Sequence, residues 1–141
     1  MIPAFNANRN LPSGIHIATM EEFTARFAYN LKRKELLKKL MQFINHIKTI
    51  GCTAIYIDGS YVTNKLLPGD IDICWENTGI DLRLAFQKMP ILENPTAIKI
   101  IYGFDVFPAN IMEKSSGRLF IDFFQRDKLT DLPKGIIKIL I

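Results

Sequence analysis

Apolar residues between positions 31 and 50 recur every three or four residues, and this spacing predicts a long amphipathic helix. The chain before it, from Thr19 to about Tyr29, predicts a shorter helix, because a glutamate follows Thr19 three positions later in the pattern of a capping box. Asn30 separates the two predicted helices. Gly51 stands where a glycine commonly ends a helix.

Farther along the chain, shorter apolar runs predict β-strands. The runs "TAIYI" and "DIDICW" predict the first two, and "LPKGIIKILI" predicts a last strand. The segment "TAIKIIYGFDVFP" is interpreted as a third extended segment with a bend at Gly103. Helices are predicted for "GIDLRLAFQKM", whose apolar residues lie largely on one side, and for "SSGRLFIDFFQRD", which precedes the last strand.

Helices and strands thus alternate along the chain. This order is typical of a mixed β-sheet with helices packed against it, in the α/β or α+β class. We expect residues 1–18 to form an irregular N-terminal arm, since its first part is rich in Asn, Pro and Gly. Residues 19–141 are expected to form a single domain, because a chain of 141 residues with 48% hydrophobic residues can bury one core.

Composition narrows the classes of function only slightly. The formal charge of +4 is a mild basic excess, which by itself gives little support to nucleic-acid binding. Cys52 and Cys74 lie in or beside apolar runs and form no CxxC or Cys/His cluster, so we interpret them as buried thiols and not as zinc ligands. The sequence has no apolar leader and no run of about 20 apolar residues, so we expect a cytoplasmic protein without a membrane span.

The segment "DGSYVTNKLLPGDIDICW" holds the candidate chemistry. Alternate residues of a strand share a face, so Asp70 and Asp72 would lie on one face, about 6–7 Å apart, with apolar residues on the other. At that distance the two carboxylates would repel each other by about 2–3 kcal/mol. A divalent cation bound between them would offset this repulsion, whereas two solvated acids on an exposed face are the alternative.

The turn before these acids carries a second signal. Gly59 and Ser60 follow a buried strand and open a helical turn, where glycine permits close approach of a ligand to the backbone and N–H groups attract phosphate. An anion site beside paired carboxylates is what a nucleoside triphosphate with Mg²⁺ requires. An ordinary turn is the alternative for Gly-Ser alone, and only the combination with the acids is specific.

This combination resembles the signature of the DNA polymerase beta-like nucleotidyltransferase superfamily, in which a hydrophobic strand precedes Gly-Ser, a spacer and Asp-hydrophobic-Asp-hydrophobic. A later strand of that superfamily carries a third carboxylate, for which Asp105 in "YGFDVF" is the best match. The whole chain looks like a small bacterial single-domain branch, with "LPSGIHIATMEEF" near its start and "FFQRD…PKGIIKI" near its end. The signature residues here are Ile57-Asp58-Gly59-Ser60 and Asp70-Ile71-Asp72-Ile73.

The resemblance implies a role for each matching residue. Gly59 and Ser60 would hold the triphosphate. Asp70 and Asp72 would bind two Mg²⁺ ions, with Mn²⁺ as an alternative metal, and Asp105 would complete the second metal site and help deprotonate an acceptor hydroxyl. A nucleoside monophosphate would pass from a nucleoside triphosphate, ATP being favoured, to a protein, RNA or small-molecule hydroxyl, with release of pyrophosphate.

Two features depart from the superfamily pattern: Asp58 occupies a position that is often apolar there, and no acceptor-binding module is visible. A second hypothesis is therefore a non-catalytic or regulatory module that acts through a partner protein, as similar proteins do in toxin–antitoxin and phage-defence pairs. A metal-dependent glycosyltransferase is disfavoured, because the chain is too short for its sugar-nucleotide domain. Lys65 lies between the two motifs and could reach a phosphate, with a solvated turn lysine as the alternative. Arg126 and Lys134, in the C-terminal segment of the resemblance, could line the cleft.

Overall fold

The computed structural model describes residues 1–141 as a mixed β-sheet with helices packed against it, which confirms the predicted fold class. Its strands are β1 (Gly14–Ala18), β2 (Ala54–Asp58), β3 (Asp72–Trp75), β4 (Asp105–Pro108), β5 (Met112–Glu113), β6 (Arg118–Leu119) and β7 (Gly135–Leu140). The main sheet has five strands in the order β1-β7-β2-β3-β4, while β5 and β6 pair only with each other.

The α-helices are α1 (Met20–Phe27), α2 (Leu31–Ile47), α3 (Leu82–Lys88), α4 (Pro95–Tyr102) and α5 (Phe120–Phe123). Local sequence signals set the limits of the first two. The Thr19 hydroxyl accepts a hydrogen bond from the backbone N–H of the third helix residue in α1, and the Asn30 side chain does the same at the start of α2. Gly51 follows α2 and a short 3-10 turn, in the left-handed conformation expected of a C-cap glycine. None of the helices combines the length and the apolar character that a membrane span requires.

Strand β2 occupies the centre of the sheet, antiparallel to both β7 and β3, whereas β1 with β7 and β3 with β4 form parallel pairs. All five residues of β2 are buried. One face of the sheet packs on the helices in the main core, to which Ile55, Ile57 and Ile73 belong. On the other face a smaller cluster around Tyr56 and Cys74 packs against apolar residues of α5 and of the position that follows it. Both cysteines are buried, as predicted.

The prediction of an irregular arm over residues 1–18 is wrong at its end. Residues 14–18 form β1, whose register runs from Gly14 opposite Gly135 to Ala18 opposite Ile139. The partner strand lies at the far end of the chain, so the local composition of the segment contains no signal for this pairing. A strand with one hydrogen-bonded neighbour is stabilised mainly by that neighbour.

The interpretation of "TAIKIIYGFDVFP" as extended holds only for its last part. Residues 95–102 form α4, which begins after the N-cap Asn94 and ends at Gly103 with φ of 76°. The chain becomes a strand only at Asp105. The apolar residues of this segment are too dense to distinguish a helix from a strand by period, so Asn94 and Pro95, which favour a helix start, were the better signal.

Candidate metal centre

Three aspartates lie side by side at one end of three adjacent strands. In the register of the strands, Asp58 at the end of β2 is opposite Asp72 at the start of β3, and Asp72 is opposite Asp105 at the start of β4. Residues paired in this way point to the same face of a sheet. The fold therefore places three carboxylates in a row across adjacent strands.

Asp70 joins this row from the loop that leads into β3. The prediction that Asp70 and Asp72 alternate on one strand is wrong in detail, because β3 begins only at Asp72. Nevertheless, Asp70, Asp72 and Asp105 can each offer one carboxylate oxygen, and these oxygens lie within 4.8 Å of one another. Oxygen ligands at such a spacing suit hard divalent cations. The structure thus brings together the three acids singled out in the sequence, and they could hold a metal ion.

The loop between the Gly-Ser turn and Asp70 is fixed by a buried arginine. Arg33 of α2 is 0% exposed, and its guanidinium donates four hydrogen bonds to backbone carbonyls. The acceptors are Phe27 at 3.1 Å, Tyr61 at 2.7 Å, Thr63 at 3.0 Å and Lys65 at 2.6 Å. Three of the four belong to the loop, so α2 determines the path of the chain toward Asp70.

Gly59 is required for the position of the Asp72 carboxylate. A Cβ atom at position 59 would lie 1.8 Å from Asp72 Oδ2, and the φ of 76° at Gly59 is one that other residues rarely adopt. Gly59 also opens the 3-10 turn Gly59–Val62, so the predicted helical turn after β2 is confirmed. Ser60 is partly buried in this turn, and its carbonyl accepts a hydrogen bond of 2.7 Å from the Thr63 hydroxyl. Gly59 therefore lies directly against the acidic cluster, and Ser60 follows it in the same turn.

A lysine balances part of the negative charge of the cluster. The Lys99 ammonium of α4 donates hydrogen bonds to Asp70 and to Asp105, the latter at 3.3 Å. The bond to Asp70 is the main cause of a raised Lys99 pKa, so the lysine stays charged. A cavity of about 320 Å³ opens beside this pair, lined by Lys99, Asp105 and residues at the start of α4.

Asp58 is the most unusual carboxylate of the row. It is 1% exposed, and neither of its side-chain oxygens has a hydrogen-bond partner. Burial, followed by the nearby charge of Asp72, raises its pKa well above the ordinary value, while Lys134 and Lys128 act in the opposite direction. Buried carboxylates without partners are costly and rare. Asp58, which departs from the superfamily pattern, is therefore a buried carboxylate in the same row as Asp72 and Asp105.

Asp72 shares this environment to a lesser degree. Burial is the largest cause of a pKa raised to about 7, and the charges of Asp70 and Asp105 add to it. A cation bound at the cluster would lower the pKa of Asp72 again, since it neutralises the neighbouring acids and attracts the ionised carboxylate. The electrostatics of the site therefore couple the ionisation of Asp72 to the presence of positive charge.

The sequence did not identify Arg33 and Lys99 as residues near the site. It also did not decide the roles of Lys65, Arg126 and Lys134. Arg33 interrupts the apolar stripe of α2, in line with Leu36 and Leu40, and a charge at such a position was a usable signal. Lys99 gave no signal, because its segment was interpreted as extended. Of the other three cations, Lys65 is exposed and its backbone carbonyl accepts a hydrogen bond from Arg33, whereas Arg126 and Lys134 line a common cavity.

The fold and the acidic cluster define an α/β protein with a candidate metal centre at one edge of its sheet. Residues 3–140 match the model of a family of unknown function, DUF6932, and the chain belongs to this family. No curated protein and no solved structure matches the chain.

Proposed function

We propose that the protein is a metal-dependent nucleotidyltransferase that moves a nucleoside monophosphate from a nucleoside triphosphate to an acceptor hydroxyl. The observation that carries this proposal is the convergence of Asp70, Asp72 and Asp105 directly beside the Gly59–Ser60 turn. Acids that hold divalent cations next to backbone groups that accept phosphate are what a triphosphate substrate needs. This arrangement agrees with the superfamily resemblance of the sequence.

The donor set fits a hard cation, because it consists of carboxylate oxygens from three separate residues. Asp70, Asp72 and Asp105 would hold Mg²⁺, or Mn²⁺ in its place, in a centre for one or two ions. When bound, the metal supplies charge stabilisation for the attacking and leaving oxygens of the reaction. ATP is the favoured nucleotide.

The chain's own groups divide the work of the proposed reaction. Gly59 and Ser60, at the start of the turn, bind the triphosphate tail. The acceptor hydroxyl oxygen forms a bond to the α-phosphorus, the bond from that phosphorus to the bridging oxygen breaks, and pyrophosphate leaves. The hydroxyl proton passes to the carboxylate of Asp105, whose side chain is 46% exposed and so accessible to an acceptor.

A regulatory module that acts through a partner protein is the second candidate, and exposed apolar residues near the site favour it. Ile100 and Ile101 on α4 are 80% and 60% exposed, immediately after Lys99. Leu66 and Leu67 in the loop before Asp70 are 64% and 60% exposed. Apolar side chains grouped around a site commonly mark contacts with another protein. A partner protein could bind here whether or not the protein is an enzyme, so the exposed apolar residues support a regulatory module even in the absence of catalysis.

Isothermal titration of ATP, GTP, CTP and UTP into the protein with Mg²⁺ tests the proposal. We expect binding of at least one triphosphate, and loss of that binding with EDTA or in the Asp70→Asn/Asp72→Asn variant. The matched control is Glu35→Gln/Glu93→Gln, which removes the same number of negative charges from exposed positions outside the cluster. The control should bind as the natural protein does.

Binding that is lost only in the aspartate variant assigns the triphosphate to the acidic cluster. A folded protein that binds none of the four triphosphates contradicts the proposed function. In that case the partner-dependent module becomes the better explanation, and Ile100→Ser/Ile101→Ser would be the variant to test for loss of a bound protein.

A further inference from the structure

A second polar cavity lies at the same end of the sheet as the acidic cluster. Its volume is about 400 Å³, and none of its lining residues is hydrophobic. Arg118, Arg126 and Lys134 supply three positive charges to its walls, against one negative charge from Asp122. We call this cavity the basic cleft. The net positive lining indicates an anionic ligand.

The sheet register fixes where the basic cleft lies. Ser13 and Gly14, at the start of β1, form part of its lining, and Lys134 immediately precedes β7. The order β1-β7-β2 places these strand starts on the edge of the sheet where β2 ends in Asp58. At a spacing of about 4.8 Å between strands, the cleft is about 5–10 Å from the acidic row.

The two arginines of the cleft converge on one negatively charged oxygen. Their Nη1 atoms lie 3.9 Å (Arg118) and 4.0 Å (Arg126) from Oδ1 of Asp131. The Asp131 side chain is 75% exposed, and these distances exceed hydrogen-bond length. A hydrogen bond of 2.9 Å from Arg126 Nη1 to the Asp131 carbonyl holds the guanidinium in place. The pair is therefore prearranged for an oxyanion, and a phosphate offers more charge and more oxygens than a solvated carboxylate.

We infer that the basic cleft binds a phosphate group of the acceptor substrate. This inference rests on the proposed function and gives its acceptor a chemical class. A phosphate in the cleft would place the rest of the acceptor along the strand ends toward Asp105. Lys134 at β7 is three strand spacings from Asp105 on β4, which at about 4.8 Å per spacing is about 14 Å, a distance that about two nucleotides can span. The absence of apolar lining indicates contact with phosphate and sugar, without stacking of a base.

The phosphate can come from a single-stranded RNA end or from a phosphorylated small molecule. The test therefore uses three probes: a fluorescein-labelled single-stranded RNA followed by fluorescence polarisation, and 5′-AMP and inorganic phosphate as competitors. The cleft variant is Arg118→Gln/Arg126→Gln. The matched control is Arg83→Gln/Lys88→Gln, which removes two exposed positive charges from α3. Thermal unfolding of each variant verifies that it folds, and Lys134→Gln serves as a second cleft variant.

We expect the cleft variant to weaken binding of RNA by at least about tenfold, because two charge-assisted contacts to the phosphate are lost. If AMP displaces the RNA, its binding should weaken to the same extent. The control variant should change it less than about twofold. Titration of ATP with Mg²⁺ should be unaffected by the cleft variant. Tight binding of AMP identifies a small phosphorylated acceptor, and binding of RNA alone identifies a strand.

Three results would overturn the inference: equal losses in the cleft and control variants, a parallel loss of ATP binding in the cleft variant, or no binding of either RNA or AMP. The second of these would assign the cleft to the triphosphate. The Asp70→Asn/Asp72→Asn variant separates the two proposals, because it should lose ATP while it still binds the acceptor probe. RNA binding in the cleft of a protein that binds no triphosphate would contradict the proposed function.

Discussion

At the scale of single residues, Gly59 shows how little space the site allows. Replacement by alanine would place a methyl group 1.8 Å from the Asp72 carboxylate, in a backbone conformation that disfavours side chains. We expect Gly59→Ala to lower the free energy of unfolding by more than about 2 kcal/mol, the strain of the left-handed conformation contributing about 1–2 of it. We also expect Mn²⁺ affinity to fall at least about tenfold, because Asp72 must move. Urea unfolding and titration with Mn²⁺ measure the two effects.

Gly79 provides the control for this prediction. Its φ of 77° is nearly the same as that of Gly59, but a Cβ atom there would meet nothing within 4 Å. Gly79→Ala should therefore show only the backbone cost and leave Mn²⁺ binding unchanged. Equal effects of the two substitutions on metal binding would mean that the contact with Asp72 has no role in the site.

At the scale of secondary-structure elements, Arg33 connects α2 to the loop that carries Asp70. Arg33→Met keeps much of the side-chain volume but leaves four backbone carbonyls without their donor. We expect a loss of about 3–5 kcal/mol in the free energy of unfolding, since buried acceptors without partners are costly. Urea unfolding measures this loss. Relative to the natural protein, amide hydrogen exchange in the variant should increase more in the loop over residues 61–67 than in the helices.

The matched substitution is Lys34→Met, one position along the same helix, where the side chain is exposed. It removes the same charge and adds the same residue, and we expect a change within about 0.5 kcal/mol. If Arg33→Met were as mild as Lys34→Met, the loop would have to be held by other contacts, of which the bond of 2.7 Å from Asn30 Nδ2 to the Leu66 carbonyl is the nearest.

At the scale of the whole molecule, the buried acids predict an unusual dependence of stability on pH. The folded-state pKa of Asp72 is about 7 and that of Asp58 is also raised, whereas both are near 3.9 in the unfolded chain. Between these values the folded state binds more protons than the unfolded state, so stability falls as the pH rises. We expect a lower urea midpoint at about pH 8 than at about pH 5 in EDTA, with a slope of up to about 1.4 kcal/mol per pH unit for each group.

Mg²⁺ should restore the stability lost at the higher pH, because it binds the ionised carboxylates of the folded protein. In the Asp58→Asn/Asp72→Asn variant the decline with pH should flatten and the effect of Mg²⁺ should disappear. Glu35→Gln/Glu93→Gln, which neutralises exposed acids, should behave as the natural protein. Stability that instead rises steadily from about pH 5 to about pH 8 would contradict the raised pKa values.

The predictable part of the fold depended on neighbours in the sequence. The limits of α1 and α2 follow from Thr19, Asn30 and Gly51, whose side chains or backbone conformations act within a few residues. Buried strands such as β2 were visible as apolar runs between turns. The spacing of Asp70 and Asp72 after Gly59 was also enough to select three of the site residues, because the chemistry requires acids and a glycine turn together.

The remaining features depend on residues that are distant in the sequence, and only the tertiary structure decided them. Strand β1 exists because β7 lies beside it, and the two Nη atoms of Arg33 donate to carbonyls from a loop about thirty residues away. The row of Asp58, Asp72 and Asp105 arises from the register of three strands. The sequence by itself determined which residues have the right chemistry, since side-chain type and local spacing are properties of the chain. The structure determined which of them meet and which are shielded from water, since pairing and burial are properties of the folded molecule.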